Sequence, residues 1–91
     1  MLKVNSYEEF EKVRRDIAIL EVQYQDVIYN RHFNPDKSVG GFVASTAKVD
    51  KTARVSGNAW VYGNALVSGD AWVYGNAQVY GDALVSGNGR G

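Results

Sequence analysis

The stretch Ala59–Asn76, "AWVYGNALVSGDAWVYGN", repeats Ala-x-Val-x-Gly-Asn/Asp every six residues and varies at the two x positions. The hexads start at Ala53, Ala59, Ala65, Ala71, Ala77 and Ala83; "AKVDKT" from Ala47 is a degenerate earlier copy, and "GFVAST" from Gly41 a weaker one. A fixed period that never slips marks a repeat architecture. Ala and Val sit two apart, so both point to one side of a short strand and the x residues to the other. Gly followed by Asn or Asp then makes a corner, because these residues accept a left-handed backbone. Three corners close a triangular coil of 18 residues, and "ALVSGD" at Ala65 and "ALVSGN" at Ala83 stand 18 apart. "AWVYGN" also recurs at 12, which leaves a 12-residue coil open.

An inward set of Ala and Val suits a narrow prism, with Val stacked on Val and the Asn/Asp corners in ladders. The x residues then face out. Trp60, Tyr62, Trp72, Tyr74 and Tyr80 form the expected partner or subunit interface. At a repeat of 18, Trp60 stacks with Gln78, Tyr62 with Tyr80, Arg54 lies beneath Trp72 and Leu66 stacks with Leu84. Five outward rings on so small a body approach a contiguous apolar patch, which monomers seldom leave bare, and Trp and Tyr are enriched at interface hot spots.

Composition shifts near residue 40: nine of the ten glycines lie from Gly41 onward, and Tyr7 to about Asn30 has neither Gly nor Pro. That segment reads as one long helix. Ser6 and Glu9 make a capping box, and Glu8/Lys12 and Glu11/Arg15 are i,i+4 pairs in the favourable order. Phe10, Val13, Ile17, Leu20, Tyr24 and Val27 alternate three and four apart, an a/d seam suited to a self-associating coiled coil. The break is expected at "NRHFNPD". "AILEVQYQDVIY", however, is rich in β-branched and aromatic residues, as strands are. Some 24 helical residues would span about 36 Å, whereas the stacked coils reach only about 13 Å. The seam suits either an amphipathic helix packed on its own domain or helices from different subunits packed together, and the length mismatch favours the second.

The expected organisation is a helical segment and connector at 1–40, a repeat β-helix at 41–88 and a flexible tail at 89–91. "NPDKSVGGF", with Val39 and Phe42, is expected to cap the first end of the stack. The fold class is mainly β with one long N-terminal α-helix and a short triangular β-helix of about 2.5 coils. Val-x-x-x-Ala at six-residue spacing resembles the hexapeptide-repeat, left-handed parallel β-helix superfamily, and the "AxVxGN" form resembles its bacterial and phage β-solenoid subgroup. That resemblance implies left-handed winding, frequent trimers, and acyltransferase activity in the best-known members.

Those acyltransferases use a histidine on or beside a coil. Here the one histidine, His32, precedes the repeats in "NRHFNP", and no loop interrupts the hexads between Ala53 and Asn88. His32 is read as a polar turn residue, and no catalytic residue is assigned. The carboxylates Asp70 and Asp82 are read as corner residues, since calcium-binding repeats need a nine-residue period and this chain has six. No cofactor or metal is expected. Ten basic and ten acidic residues give no field to draw nucleic acid. The absence of cysteine leaves the redox compartment unmarked. The first residues lack the apolar run of a signal peptide and no apolar run approaches the roughly 18 residues of a membrane span, so a soluble cytoplasmic protein is expected. The sequence favours a non-catalytic homo-oligomer, dimer or trimer, that binds another protein. Its rival is a minimal acyltransferase or sugar-binding protein with a site between subunits.

Overall fold

A computed structural model of the chain describes residues 1–87. Asn88 and the tail expected at 89–91 lie outside the described residues. The elements run β1 (Leu2–Val4), α1 (Tyr7–Arg15), β2 (Glu21–Tyr24), β3 (Val27–Phe33), β4 (Val39–Ala44), then two-residue strands: β5 (Lys48–Val49), β6 (Arg54–Val55), β7 (Trp60–Val61), β8 (Leu66–Val67), β9 (Trp72–Val73), β10 (Gln78–Val79) and β11 (Leu84–Val85).

The repeat half folds as its period demands. Parallel pairing joins Phe42 to Trp60 and Trp60 to Gln78, Lys48 to Leu66 and Leu66 to Leu84, and Arg54 to Trp72. Every partner is 18 residues away, which decides against the 12-residue coil. Three sides result: β4-β7-β10, β5-β8-β11 and β6-β9. Ala53, Val55, Ala59, Val61, Ala65, Val67, Ala71 and Val73 are all at most 1% exposed, so they line the interior. Gly63, Gly69, Gly75 and Gly81 turn the corners with φ between 63° and 70°, a region that costs side chains with a Cβ. Among the described residues the corners are tied by contacts other than the expected Asn/Asp ladder. The Asp50 carboxylate and the Ser56 hydroxyl accept from the Gly69 and Gly75 N–H groups, while Thr46 and Thr52 donate to the Gly63 and Gly69 carbonyls.

The long helix does not form: α1 has nine residues. Ser6 caps it, accepting from the Glu9 N–H at 3.2 Å, and Glu11 pairs with Arg15 at 2.8 Å. It stops because Asp16 folds into a turn, its Oδ1 accepting from the Ala18 N–H while its carbonyl accepts from Ile19. Such local side-chain bonds compete with helix. Chain reversal follows at Gln25 and Asp26, both at positive φ (52° and 61°), between the paired residues Tyr24 and Val27. Two left-handed residues in a two-residue loop make a hairpin turn of the type that matches strand twist. "NRHF" is the end of β3, and the break falls later, at Asn34–Ser38.

The seam is therefore dispersed. Phe10, Val13 and Tyr24 enter the protein's own core, Val27 is half-buried in β3, and Ile17 and Leu20 stand exposed in the turn after α1. Length explains this. A nine-residue helix is about 13 Å long, close to the height of the stack, so one side of the solenoid covers it without a second subunit. Nor is there a linker at residue 40. β1 pairs parallel to β2, β2 and β3 pair antiparallel, and β3 pairs with β4, which is also the first strand of the solenoid. One six-stranded sheet, β1-β2-β3-β4-β7-β10, runs from the N-terminal unit into the stack.

Candidate interaction surface

Alternation along that sheet decides what faces α1. Val22, Tyr24, Tyr29, Arg31, Phe42 and Trp60 are buried beneath it. Phe10 sits at the centre, its ring 4.7 Å from Trp60, 4.8 Å from Tyr24 and 5.0 Å from Tyr29. Burial raises the Tyr29 phenol above its ordinary pKa, partly countered by the Trp60 side chain. The Trp60 indole N–H makes no complete hydrogen bond, although Tyr29 is near enough to interact with it.

Trp60 thus leaves the prism outward, as its position in the hexad requires, but is only 6% exposed. Its place in an intersubunit surface is corrected: the chain's own helix covers it. Tyr62 stacks on Trp60 at 4.0 Å and on Tyr80 at 5.4 Å, and its hydroxyl donates to Gln78. Tyr62 is half-buried, and burial raises its pKa. Tyr7 adds a ring at 6.0 Å from Trp60. A row of rings therefore leads from beneath the helix to Tyr80, which is 58% exposed. On the third side Trp72 and Tyr74 are exposed, their rings 5.4 Å apart. On the second side Leu66 and Leu84 stack in register.

The most connected polar group is one the sequence reading missed. Arg31 is 4% exposed, and its guanidinium lies 3.8 Å from the Phe42 ring centre. It donates to the carbonyls of Val13, Arg14 and Asp16 at the end of α1 (2.8–3.1 Å), to Ile19 (3.0 Å), and to Gly57 in the solenoid (2.9 Å), with Gly40 at 3.5 Å. Burial lowers its pKa, with Asp16 opposing and Arg14 reinforcing. Arg14, also buried, donates to Asn58 and lies 5.3 Å from the Trp60 ring centre. Two neighbours finish the junction. The Asn34 side-chain amide accepts from the Val55 N–H (2.8 Å) and donates to the Val55 carbonyl (3.2 Å), as a neighbouring strand would. His32 Nε2 lies 2.7 Å from the Ala53 carbonyl, so it is the donor there. His32 holds the junction instead of sitting in an open turn. The signal for Arg31 was its alternation with Tyr29, which places it on the apolar face of β3.

Close packing at the junction explains Gly40 and Gly41. A Cβ at Gly41 would lie 2.1 Å from the Ala59 carbonyl oxygen, and one at Gly40 would lie 2.3 Å from that of Val55. Among the described residues no helix is long and apolar enough to cross a membrane.

The YdcK β-solenoid repeat model matches residues 59–75 and 77–90, about a third of the chain. The chain carries a β-solenoid repeat similar to that family's. No curated protein and no solved structure matches.

Proposed function

We propose that this chain is a non-catalytic β-solenoid that works by binding protein, itself included, through the aromatic sides of its stack. The observation that carries the reading is the row Tyr62–Tyr80, stacked on a rigid sheet and emerging from cover to leave Tyr80 58% exposed. Tyr74, 47% exposed on another side, adds to it. Rigid aromatic groups give large contact area at little entropic cost, which is why they dominate hot spots. The reading includes left-handed winding through about two and a half coils, as in the AxVxGN hexapeptide-repeat solenoids that the sequence resembles.

Sedimentation of the chain, with Tyr74→Ser and Tyr80→Ser as variants, tests the proposal. Association weakened about 30-fold or more by either change is the result expected of a hot spot worth about 2 kcal/mol. A chain that stays monomeric at high concentration, and whose captured partners are unaffected by both variants, would overturn it.

A further inference from the structure

The third side of the stack begins with a hexad that breaks the aromatic pattern. "ARVSGN" from Ala53 puts Arg54 and Ser56 outward where "AWVYGN" from Ala71 puts Trp72 and Tyr74. Arg54 pairs in register with Trp72 one storey on. On the other edge of β6 the turn Asn34–Ser38 takes the place of a strand, because the Asn34 amide bonds both backbone groups of Val55. Small residues set among larger ones leave a gap there. Ser38, Ser56 and Gly57 line an open cleft of about 250 Å³, together with Asp36, Arg54 and Trp72. Asn34, Val39 and Val55 complete a lining that is mainly polar.

Three of these groups keep hydrogen-bonding capacity. Ser38 donates to Asp36 Oδ1 through its backbone N–H (3.0 Å) and its hydroxyl (2.6 Å). A carboxylate has about four acceptor sites, so Asp36 can accept more. Those bonds, with Arg54 nearby, hold the Asp36 carboxyl below its ordinary pKa, so it is ionised at neutral pH. The Ser56 oxygen accepts from the Gly75 N–H, and its own proton remains to be donated. The exposed Arg54 guanidinium forms no ion pair among the described residues, although its charge reaches Asp36. The cleft thus offers a carboxylate acceptor, two kinds of donor and an indole that is 41% exposed. Its two charges oppose each other, so an ion of either sign gains little. A cyclic polyol gains from all of them. Its hydroxyls both donate and accept, and its axial C–H bonds make an apolar face for the electron-rich face of an indole.

We propose that this cleft binds a neutral sugar of glucose configuration, its C–H face on Trp72 and its hydroxyls at Asp36, Arg54 and Ser56. Equatorial hydroxyls leave both faces of that ring to C–H bonds, which is the shape a flat indole accepts. The cleft does not use the Tyr62–Tyr80 row, and neither reading depends on the other.

Cellotriose is the probe, titrated into the intact chain and followed by amide and indole N–H chemical shifts. Sorbitol, which has the hydroxyls without the ring face, is the comparison. Shifts should centre on Asp36, Arg54, Ser56 and Trp72. Trp72→Leu installs the side chain that Leu66 and Leu84 carry at the same place in their hexads. It should therefore keep the wild-type melting temperature and weaken binding about three- to tenfold through loss of the ring contact. Asp36→Asn keeps an acceptor for Ser38 but not the charge, and should weaken binding about fivefold. Four results would each overturn the proposal: no shift at millimolar cellotriose, sorbitol binding as tightly as cellotriose, shifts centred on Tyr62 and Tyr80, or unchanged binding by Trp72→Leu.

Discussion

Replacing Arg31 with Met should separate the N-terminal unit from the solenoid more effectively than any other single polar change. Methionine keeps much of the aliphatic stem but removes a guanidinium that reaches six backbone carbonyls from β3: four between Val13 and Ile19, plus Gly40 and Gly57. Each hydrogen bond to a charged group contributes about 1.5–3 kcal/mol, but the contributions do not add, because desolvating the cation offsets them. Arg31→Met removes the charge and leaves neutral carbonyls without their donor, at about 1–3 kcal/mol for each that water cannot reach, so a total loss of about 3–5 kcal/mol is expected. A chain of this length has about 5–14 kcal/mol in total. Urea unfolding is the assay, in a Trp72→Phe background so that fluorescence reports Trp60 beneath α1. At a denaturant slope of about 1 kcal/mol/M the midpoint should fall by roughly 3 M or more. Because repeat stacks lose cooperativity locally, the Trp60 signal should also move ahead of the far-ultraviolet dichroism. Arg31→Lys, which keeps the charge but not the fork, should fall between the two. A midpoint shift under about 0.5 M for Arg31→Met would refute the view that this residue fastens the two parts.

Gly41→Ala should fail to fold or lose about 3 kcal/mol or more, since its Cβ meets the Ala59 backbone, whereas Gly57→Ala, which meets nothing within 4 Å, should be neutral or stabilise by about 0.4–1 kcal/mol; thermal melts compare them. Ile17→Asp, at a position 56% exposed, should change stability by less than about 0.5 kcal/mol and leave the sedimentation coefficient unchanged, while Phe10→Ala should cost about 3–5 kcal/mol in the same urea assay. Stability should fall at alkaline pH. Tyr29 and Tyr62 have raised pKa values in the fold, so above about pH 10 the unfolded chain loses phenolic protons that the folded chain retains. The slope from Tyr29 can reach at most about −1.4 kcal/mol per pH unit, the one-proton limit; it is read from urea midpoints against pH, and Tyr29→Phe should flatten it.

The repeat half was legible because its physics is local. A strict period of six puts small residues at two positions, and only one side of each strand can then be the inside. The N-terminal half was not legible, because its two decisive turns carry weak signals. Gln25 and Asp26 adopt left-handed backbone without the glycine that normally announces it, and Asp16 ends the helix through its own side chain rather than through Gly or Pro. Without those stops, spacings of three and four ran on from Val13 through Ile17 and Leu20 to Tyr24 as a single stripe. Trp60 was assigned the right direction but the wrong neighbour. What covers it is α1, whose true length only the turn at Asp16 reveals. Arg31 and Asn34 could not be assigned from their own segment, since their partners are carbonyls brought close by the solenoid.

Pairing at 18 residues within a repeat of six also defines how such a chain can change its length. Duplicating three hexads adds one storey, about 4.8 Å, and returns every later residue to its former wall. Duplicating one hexad advances everything downstream by a third of a revolution: Tyr80 would move from the wall it shares with Tyr62 to the next, while Ala and Val still meet Ala and Val inside. Recombination can thus shuffle the decoration of this body as a combination lock is turned, with the spindle undisturbed.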